Sequence, residues 1–304
     1  MKLLFVHGGE KLKEDSDGNL YTSGSYNDEI WNRYLEIFDN LTVIARKELT
    51  IYEPEYARQN FHYFNKEKIR FIEIPNLSRS YKSFLNLNKR KIIRRTLKQA
   101  VLENDYIIAR IPSSAGYLAA KYAKGFKKPY FLEVVGCAWD ALWNYNFKGK
   151  ILAPIRYLQM KKTVKKSPYT LYVSNIFLQS RYPTNGLSVG CSDVDLPNLD
   201  KQILEKRFDK IGNTLSTMST KIGTIGAVDV KYKGQEYVIE AISKLNMKGY
   251  NFEYHIVGGG DSKYLRDVAK KYNVLDQVKF HGSLPHEEIF KWLDTIDIYI
   301  QPSM

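Results

Sequence analysis

Short runs rich in Val, Ile, Phe and Tyr alternate with longer stretches of helical apolar period, from one end of the chain to the other. This alternation limits the fold more than any other feature. KLLFVHG, LTVIARKE, IRFIEIP, YIIARIP, PYFLEVVG and YTLYVSN read as strands in the first part of the chain. KIGTIGAV, NFEYHIVGGG, VKFHG and IDIYIQ read as strands in the last part, with amphipathic helices between them. Several of these strands are apolar on both faces. Such a strand needs cover on both sides, and parallel strands receive it from their crossover helices.

The pattern loosens once. Around NGLSVGCSDVDLPN the chain turns to Gly, Ser, Asp and Pro, and LDKQILEKRFDK reads as a short helix. The expected organisation is therefore α/β with two tandem Rossmann-like domains and parallel sheets. Residues 1–185 form the first domain, 186–217 a linker region and 218–304 a partial second domain.

Composition narrows the function classes. A chain of 304 residues with 44% hydrophobic and 13% aromatic residues can bury two cores and is not a disordered type. No run of about 18 uncharged apolar residues appears, so no membrane-spanning segment is expected. MKLLFVHGG reads as a first strand rather than a signal peptide. Cys137 and Cys191 lie far apart without metal-ligand spacing, as expected for free thiols in a reducing cytoplasm. No metal site is expected.

The net charge of +13 (46 Lys and Arg against 33 Asp and Glu) is concentrated in two stretches. In KRKIIRRTLKQAV, residues such as Ile92, Ile93, Leu97 and Val101 form one helical stripe beside a basic face. In KGKILAPIRYLQMKKTVKKS, Ile151, Ile155 and Leu158 mark a second stripe, followed by Lys161, Lys162, Lys165 and Lys166. Both can be solvated helix faces, or both can adhere to anionic lipid, worth about 1 kcal/mol per basic residue near the surface. No nucleic-acid recognition module accompanies them.

Two stretches carry candidate chemistry. In IVGGGD, residues 256–261, a strand runs into three glycines and then a helix. Bare backbone there can approach an anion, although a tight turn alone would use the same glycines. In TIGAVDVKYKGQEYVIEAI, Gly226 ends a strand, and Lys231 and Lys233 precede Gly234 and an amphipathic helix. Two lysines between a strand end and a helix start can hold a pyrophosphate as point charges, or can be ordinary loop lysines. The fingerprint of a dinucleotide-binding first strand is missing from VHGGEKLKED.

The order G-x(n)-K-G, an A-x-x-x-L helix, IVGGG, VKFHG, a helix and DIYIQPS resembles the C-terminal half of a family 4 glycosyltransferase, continuously from Lys221 to Met304. ARIPSSAGYLAAKYAK, PYFLEVVGCAWDAL and YVSNIFLQSRYPTNG resemble the acceptor domains of capsular or cell-surface polysaccharide members. The resemblance implies a GT-B fold and transfer of a sugar from a nucleotide-diphosphate sugar, with a UDP-sugar as the first expectation and no cofactor. The acceptor would be a saccharide or a polyprenyl-linked saccharide. It implies retention of configuration and no obligatory metal, and the two basic faces fit such an enzyme in the cytoplasm, peripheral at the inner face of the plasma membrane.

By the same resemblance, Gly226 and Lys233, with Lys231, would contact the donor diphosphate, and Gly258 and Gly260 would let backbone approach it. His281, Gly282, Ser283 and Leu284 would line the nucleobase pocket. Gly8 and Gly9 would face the transferred sugar and diphosphate across the cleft, and Arg110 and Asp140 would sit on the acceptor side.

The sequence also departs from the family. Ala227 stands where many members have Arg, with one extra residue before Lys233. Val135-Gly136-Cys137 stands where many have His, leaving Asp140 as the nearest polar candidate for catalysis or, equally, a helix cap. The family's acidic motif, two Glu separated by seven residues, would follow Pro302-Ser303, so the resemblance implies a C-terminally truncated chain. A catalytically silent nucleotide-binding or interaction protein, a sugar-nucleotide epimerase of the same fold and a generic Rossmann-like ligand binder stay open as alternatives.

Overall fold

The structure, a computed structural model, describes residues 1–23, 26–77, 86–192, 200–214 and 219–303. The chain divides into two compact units, Met1–Asp195 and Leu196–Met304.

The first unit is built on strands β1 (Lys2–Asp15), β2 (Leu20–Thr22), β3 (Asn40–Tyr52), β4 (His62–Tyr63), β5 (Ile69–Glu73), β6 (Tyr106–Ile111), β7 (Tyr130–Val134), β8 (Tyr169–Tyr172) and β9 (Leu187–Gly190). Seven of them run parallel in the order β5-β3-β1-β6-β7-β8-β9. β2 and β4 add a small antiparallel ribbon on the far half of β1. Alternate residues of β1 feed opposite faces, as the two-residue period of a strand requires. Leu4 and Val6 join a core with Leu97, Ala119 and Met160, while Leu3 and Phe5 join a second core with Trp31 and Phe64.

The covering helices are α1 (Asp28–Leu35), α2 (Pro54–Asn60), α3 (Leu87–Glu103), α4 (Ser114–Gly125), α5 (Ala138–Trp143), α6 (Phe147–Lys165) and α7 (Phe177–Arg181). Their starts are written locally. Asn27, Asn86, Ser113 and Asn146 each accept a first-turn backbone N–H at the N-cap of α1, α3, α4 and α6.

The second unit holds α8 (Lys201–Thr214), β10 (Thr220–Ile225), α9 (Gln235–Asn246), β11 (Phe252–Val257), α10 (Lys263–Lys271), β12 (Val278–Gly282), α11 (His286–Thr295) and β13 (Ile298–Tyr299). Its sheet is parallel, in the order β12-β11-β10-β13. Val238, Ile239 and Ile242 of α9 and Leu265 of α10 pack on Tyr254 and Ile256, and Trp292 and Ile296 pack with Val257 on the other face.

Several expectations change. The segment 186–217 holds β9, which extends the first sheet, and α8, whose Arg207 donates to the carbonyls of Ile296 and Asp297 in the second unit. β1 does not stop at Gly8: it continues to Asp15, because β3 keeps pairing with it and β2 takes its free edge. Gly8 and Gly9 therefore lie inside a strand, where four residues of β1 stand against the single Ala45 of β3 between the Val6 and Lys11 pairings. Ile298 of the last strand is half exposed, and Ile92 and the stripe of Ile151, Ile155 and Leu158 are exposed. The pattern of the basic helix reaches back to Ser83 in the sequence, and within the described residues the helix begins at Leu87. Ser83 and Met304 lie outside them.

Candidate donor site and acceptor-side cluster

Strand-to-helix loops at the carboxyl ends of parallel strands are where such sheets bind ligands. In the second unit three of these loops knit together through their backbones. Gly226 N–H donates to Val257 O (2.8 Å), Val228 N–H to Gly259 O (3.0 Å) and Gly258 N–H to Gly282 O (2.7 Å). A Cβ on Gly258 would stand 2.0 Å from the carbonyl oxygen of Gly226, and the backbone there has a φ of +157°. Only glycine admits so close an approach. Gly260 faces the Asp229 carboxylate, and Ser283 lies against Gly259. Gly226, Gly258, Gly260, Gly282 and Ser283 are thus brought together, with Leu284 packed beside the nearby core of Val257 and Trp292.

The lysines arrive on a single 3-10 turn, Lys231–Lys233, which ends at Gly234 in the left-handed conformation (φ +74°). Gly234 is also the N-cap of α9, and no side chain caps that end. The positive end of a 12-residue helix therefore opens at the lysine turn. The stem of Lys233 packs on Gly226, its Cδ 3.5 Å from where a Gly226 Cβ would stand. Lys231 takes a different position, with its ammonium 4.3 Å from the ring centre of Tyr264.

Gln235 is a residue that the sequence reading missed. It is 2% exposed, and its Nε2 donates to the carbonyls of both Gly226 and Ala227, 3.2 Å each. The available signal was a polar residue on the inward stripe shared with Val238, Ile239 and Ile242. His281 stands elsewhere. Its Nε2 lies 2.9 Å from Nδ1 of His255 and the two rings stack, while Nε2 of His255 meets Glu253 at 3.2 Å. Burial and the neighbouring His255 both hold His281 below its usual pKa.

In the first unit the carboxyl ends of β6 and β7 carry a second polar cluster. Arg110 and Glu133 are register partners on these strands, and their side chains pair at 3.2 Å. Tyr34 donates to the other oxygen of Glu133 (3.1 Å), and burial together with the Glu133 charge raises the Tyr34 pKa. The Arg110 guanidinium lies 5.3 Å from the Tyr26 ring centre. Arg46 reaches the Gly9 carbonyl (2.5 Å) and Asn76 (3.1 Å). His7 accepts from Gly9 N–H, and burial, reinforced by Arg110, lowers its pKa to about 3. Gly8 abuts Ser113 at the start of α4, where an added Cβ would come within 2.6 Å. Arg110 was anticipated. Glu133, His7 and Arg46 were not, although a charged residue inside FLEVV was a visible cue.

Asp140 does not cap α5. Cys137 does, its Sγ accepting Asp140 N–H at 3.5 Å, while the Asp140 carboxylate pairs with Arg181 at 3.4 Å. The cap falls one turn earlier because the chain turns into the helix at Cys137, whose sulfur also contacts the Tyr182 hydroxyl (3.2 Å). Cys137 and Cys191 are both free thiols, the first buried and the second exposed.

Comparison with known proteins fits this architecture. Residues 206–304 match the family model described as glycosyl transferases group 1. Over its whole length the chain is 39% identical to protein CapJ of Staphylococcus aureus, spanning 73% of that protein. A stretch of 73 residues, 24% of this chain, is 40% identical to 18% of the amylovoran biosynthesis glycosyltransferase AmsK of Erwinia amylovora. Among solved structures, HepE of Anabaena in complex with UDP superposes with a TM-score of 0.56 at 14% identity, covering all of this chain and 74% of that one. With a relative matched over the whole of this chain and the family's own domain model covering the same loops, the chain belongs to the group 1 glycosyl transferases and carries their GT-B fold.

Proposed function

We propose that this transferase moves a sugar from a UDP-sugar to a lipid-linked saccharide in cell-surface polysaccharide synthesis, with retention of configuration, at an anionic membrane surface. One observation carries the donor half of this reading. The Lys231–Lys233 turn and the uncapped N-terminus of α9 meet the Gly226 and Gly258 loops at one end of the sheet.

A glycosyl donor reacts through an oxocarbenium-like state while its diphosphate leaves with growing negative charge. Positive groups fixed beforehand at the leaving group lower that barrier most. Lys233 supplies a point charge, the first-turn N–H groups of α9 supply oriented dipoles, and the close backbone at Gly258 lets the phosphates come near. The amylovoran transferase AmsK and the UDP complex of HepE support the polysaccharide role and the choice of uridine. Arg110 and Glu133 give the acceptor side a fixed, charged strand end that can orient sugar hydroxyls.

Calorimetric titration with UDP, GDP and ADP, followed by a transfer assay with the sugar nucleotide that binds, tests the proposal. UDP should bind at least as tightly as the other two. A folded chain that binds none of them would remove the donor assignment.

A further inference from the structure

Helix α6 is apolar on the wrong side. Gly149, Ala153, Met160 and Val164 face the core, as its place in the fold requires. Directly opposite, at i, i+4, i+8 and i+11, stand Phe147, Ile151, Ile155 and Leu158, and they are 77%, 61%, 61% and 63% exposed. A soluble helix normally turns charge to that side. Trp143 and Tyr145, just before the helix, extend the apolar strip, at 39% and 69% exposed.

The surrounding charge names the partner. From Phe147 to Lys166 the chain holds seven basic residues and no Asp or Glu. Lys148 and Lys161 flank the strip, and Lys162 and Lys165 continue its line beyond Leu158. All four are exposed. The Lys150 ammonium sits 5.7 Å from the Trp143 ring centre, so cation and aromatic share one surface. Aromatic and aliphatic residues on one half of a helix, with lysines on its borders and its far end, are the arrangement that lies in a lipid headgroup layer. A protein partner of matching shape would need acid to meet these lysines and apolar surface to meet the strip. An anionic bilayer offers both everywhere.

We infer that α6 is the membrane-docking element of this chain, inserting Phe147, Ile151, Ile155 and Leu158 into an anionic leaflet while its lysines hold the headgroups. This rests on the membrane-surface reading above and deepens it by assigning the contact to one helix, with burial of apolar side chains as well as charge. The inference makes α6, rather than the basic helix α3, the principal contact.

The test uses co-sedimentation with phosphatidylcholine vesicles, with and without phosphatidylglycerol. It compares the unmodified chain, Ile151→Asp/Ile155→Asp, Lys161→Gln/Lys162→Gln/Lys165→Gln, and a control on α3, Lys91→Gln/Arg94→Gln/Lys98→Gln. Both α6 variants should lose about tenfold or more in affinity for the anionic vesicles, and the α3 control should bind like the unmodified chain. Bromine-labelled lipid should quench tryptophan fluorescence of the unmodified chain, and Trp143→Phe should remove most of that quenching. This second readout stands even where a charge-inserting variant folds poorly.

Binding lost only in the α3 control would overturn the assignment to α6 and leave the membrane reading intact. Intact UDP binding with no response to lipid would overturn the docking inference and leave sugar transfer standing. Concentration-dependent self-association abolished by Ile151→Asp/Ile155→Asp, without lipid binding, would make a second copy of the chain the occupant and overturn it as well.

Discussion

A Cβ on Gly234 would lie 2.2 Å from the carbonyl oxygen of Pro302. The turn that carries Lys231 and Lys233 therefore closes directly on the loop after the last strand, residues that lie nearly seventy positions apart in sequence. Gly234→Ala must both accept the left-handed φ of +74° and displace Pro302. It should destabilise the second unit by about 1–3 kcal/mol and weaken UDP binding with it. Urea unfolding and calorimetry on the same sample check this. Unchanged values in both would show that the loop yields freely.

Lys233 and Lys231 should not be equivalent. Lys233→Ala removes a cation whose stem packs on Gly226, at a cost of about 1.5–3 kcal/mol in UDP affinity. Lys231 already rests on Tyr264, so Lys231→Ala should cost less, on the order of 0.5–1 kcal/mol. Titration of UDP into each variant ranks them, and equal losses would contradict the distinction.

Glu133 holds the first unit's cluster through Arg110 and Tyr34. Glu133→Gln keeps an acceptor for Tyr34 but discards the charge, and should cost about 1.5–3 kcal/mol. Glu133→Ala removes the carboxylate that Arg110 and Tyr34 share and should cost more, about 3–5 kcal/mol. Equilibrium unfolding followed by a first-unit probe gives both numbers. A smaller loss for Ala than for Gln would show that the pair contributes nothing.

His7 makes a pH signature. Its folded pKa is about 3, below the ordinary value of 6.5, so between those values the unfolded chain binds the extra proton. Stability contributed by keeping His7 neutral is present above pH 6.5 and is lost progressively as pH falls toward 3. Between pH 7 and pH 5 the loss should be about 2 kcal/mol. His7→Gln should flatten that segment of the stability–pH curve, and an unchanged slope in this variant would assign the effect to other groups.

Much of this was legible in the sequence because it is local. Strand and helix order follow from apolar period, and caps such as Ser113 and Asn146 are written within four residues of the backbone groups they bond. The donor loops were legible for a related reason. Gly258 and Gly234 are fixed by backbone approach, which leaves glycine as the trace. Asp140 misled because any of several residues near a helix start can cap it, and only the path of the chain chose Cys137.

The sequence alone determined that parallel strands alternate with helices in two units, and that a lysine-glycine turn meets a triple glycine after neighbouring strands. Tertiary structure decided the rest. β1 runs on to Asp15 because other strands offer their edges, and Arg110 meets Glu133 because β6 and β7 happen to align there. Gln235 is buried because two distant carbonyls need a donor. The apolar strip of α6 faces outward because the opposite side, with the small residues Gly149 and Ala153, fits closer to the core. Periodicity reports that a helix has an apolar face. Which face the core takes depends on shape, and shape exists only once the partners are in place.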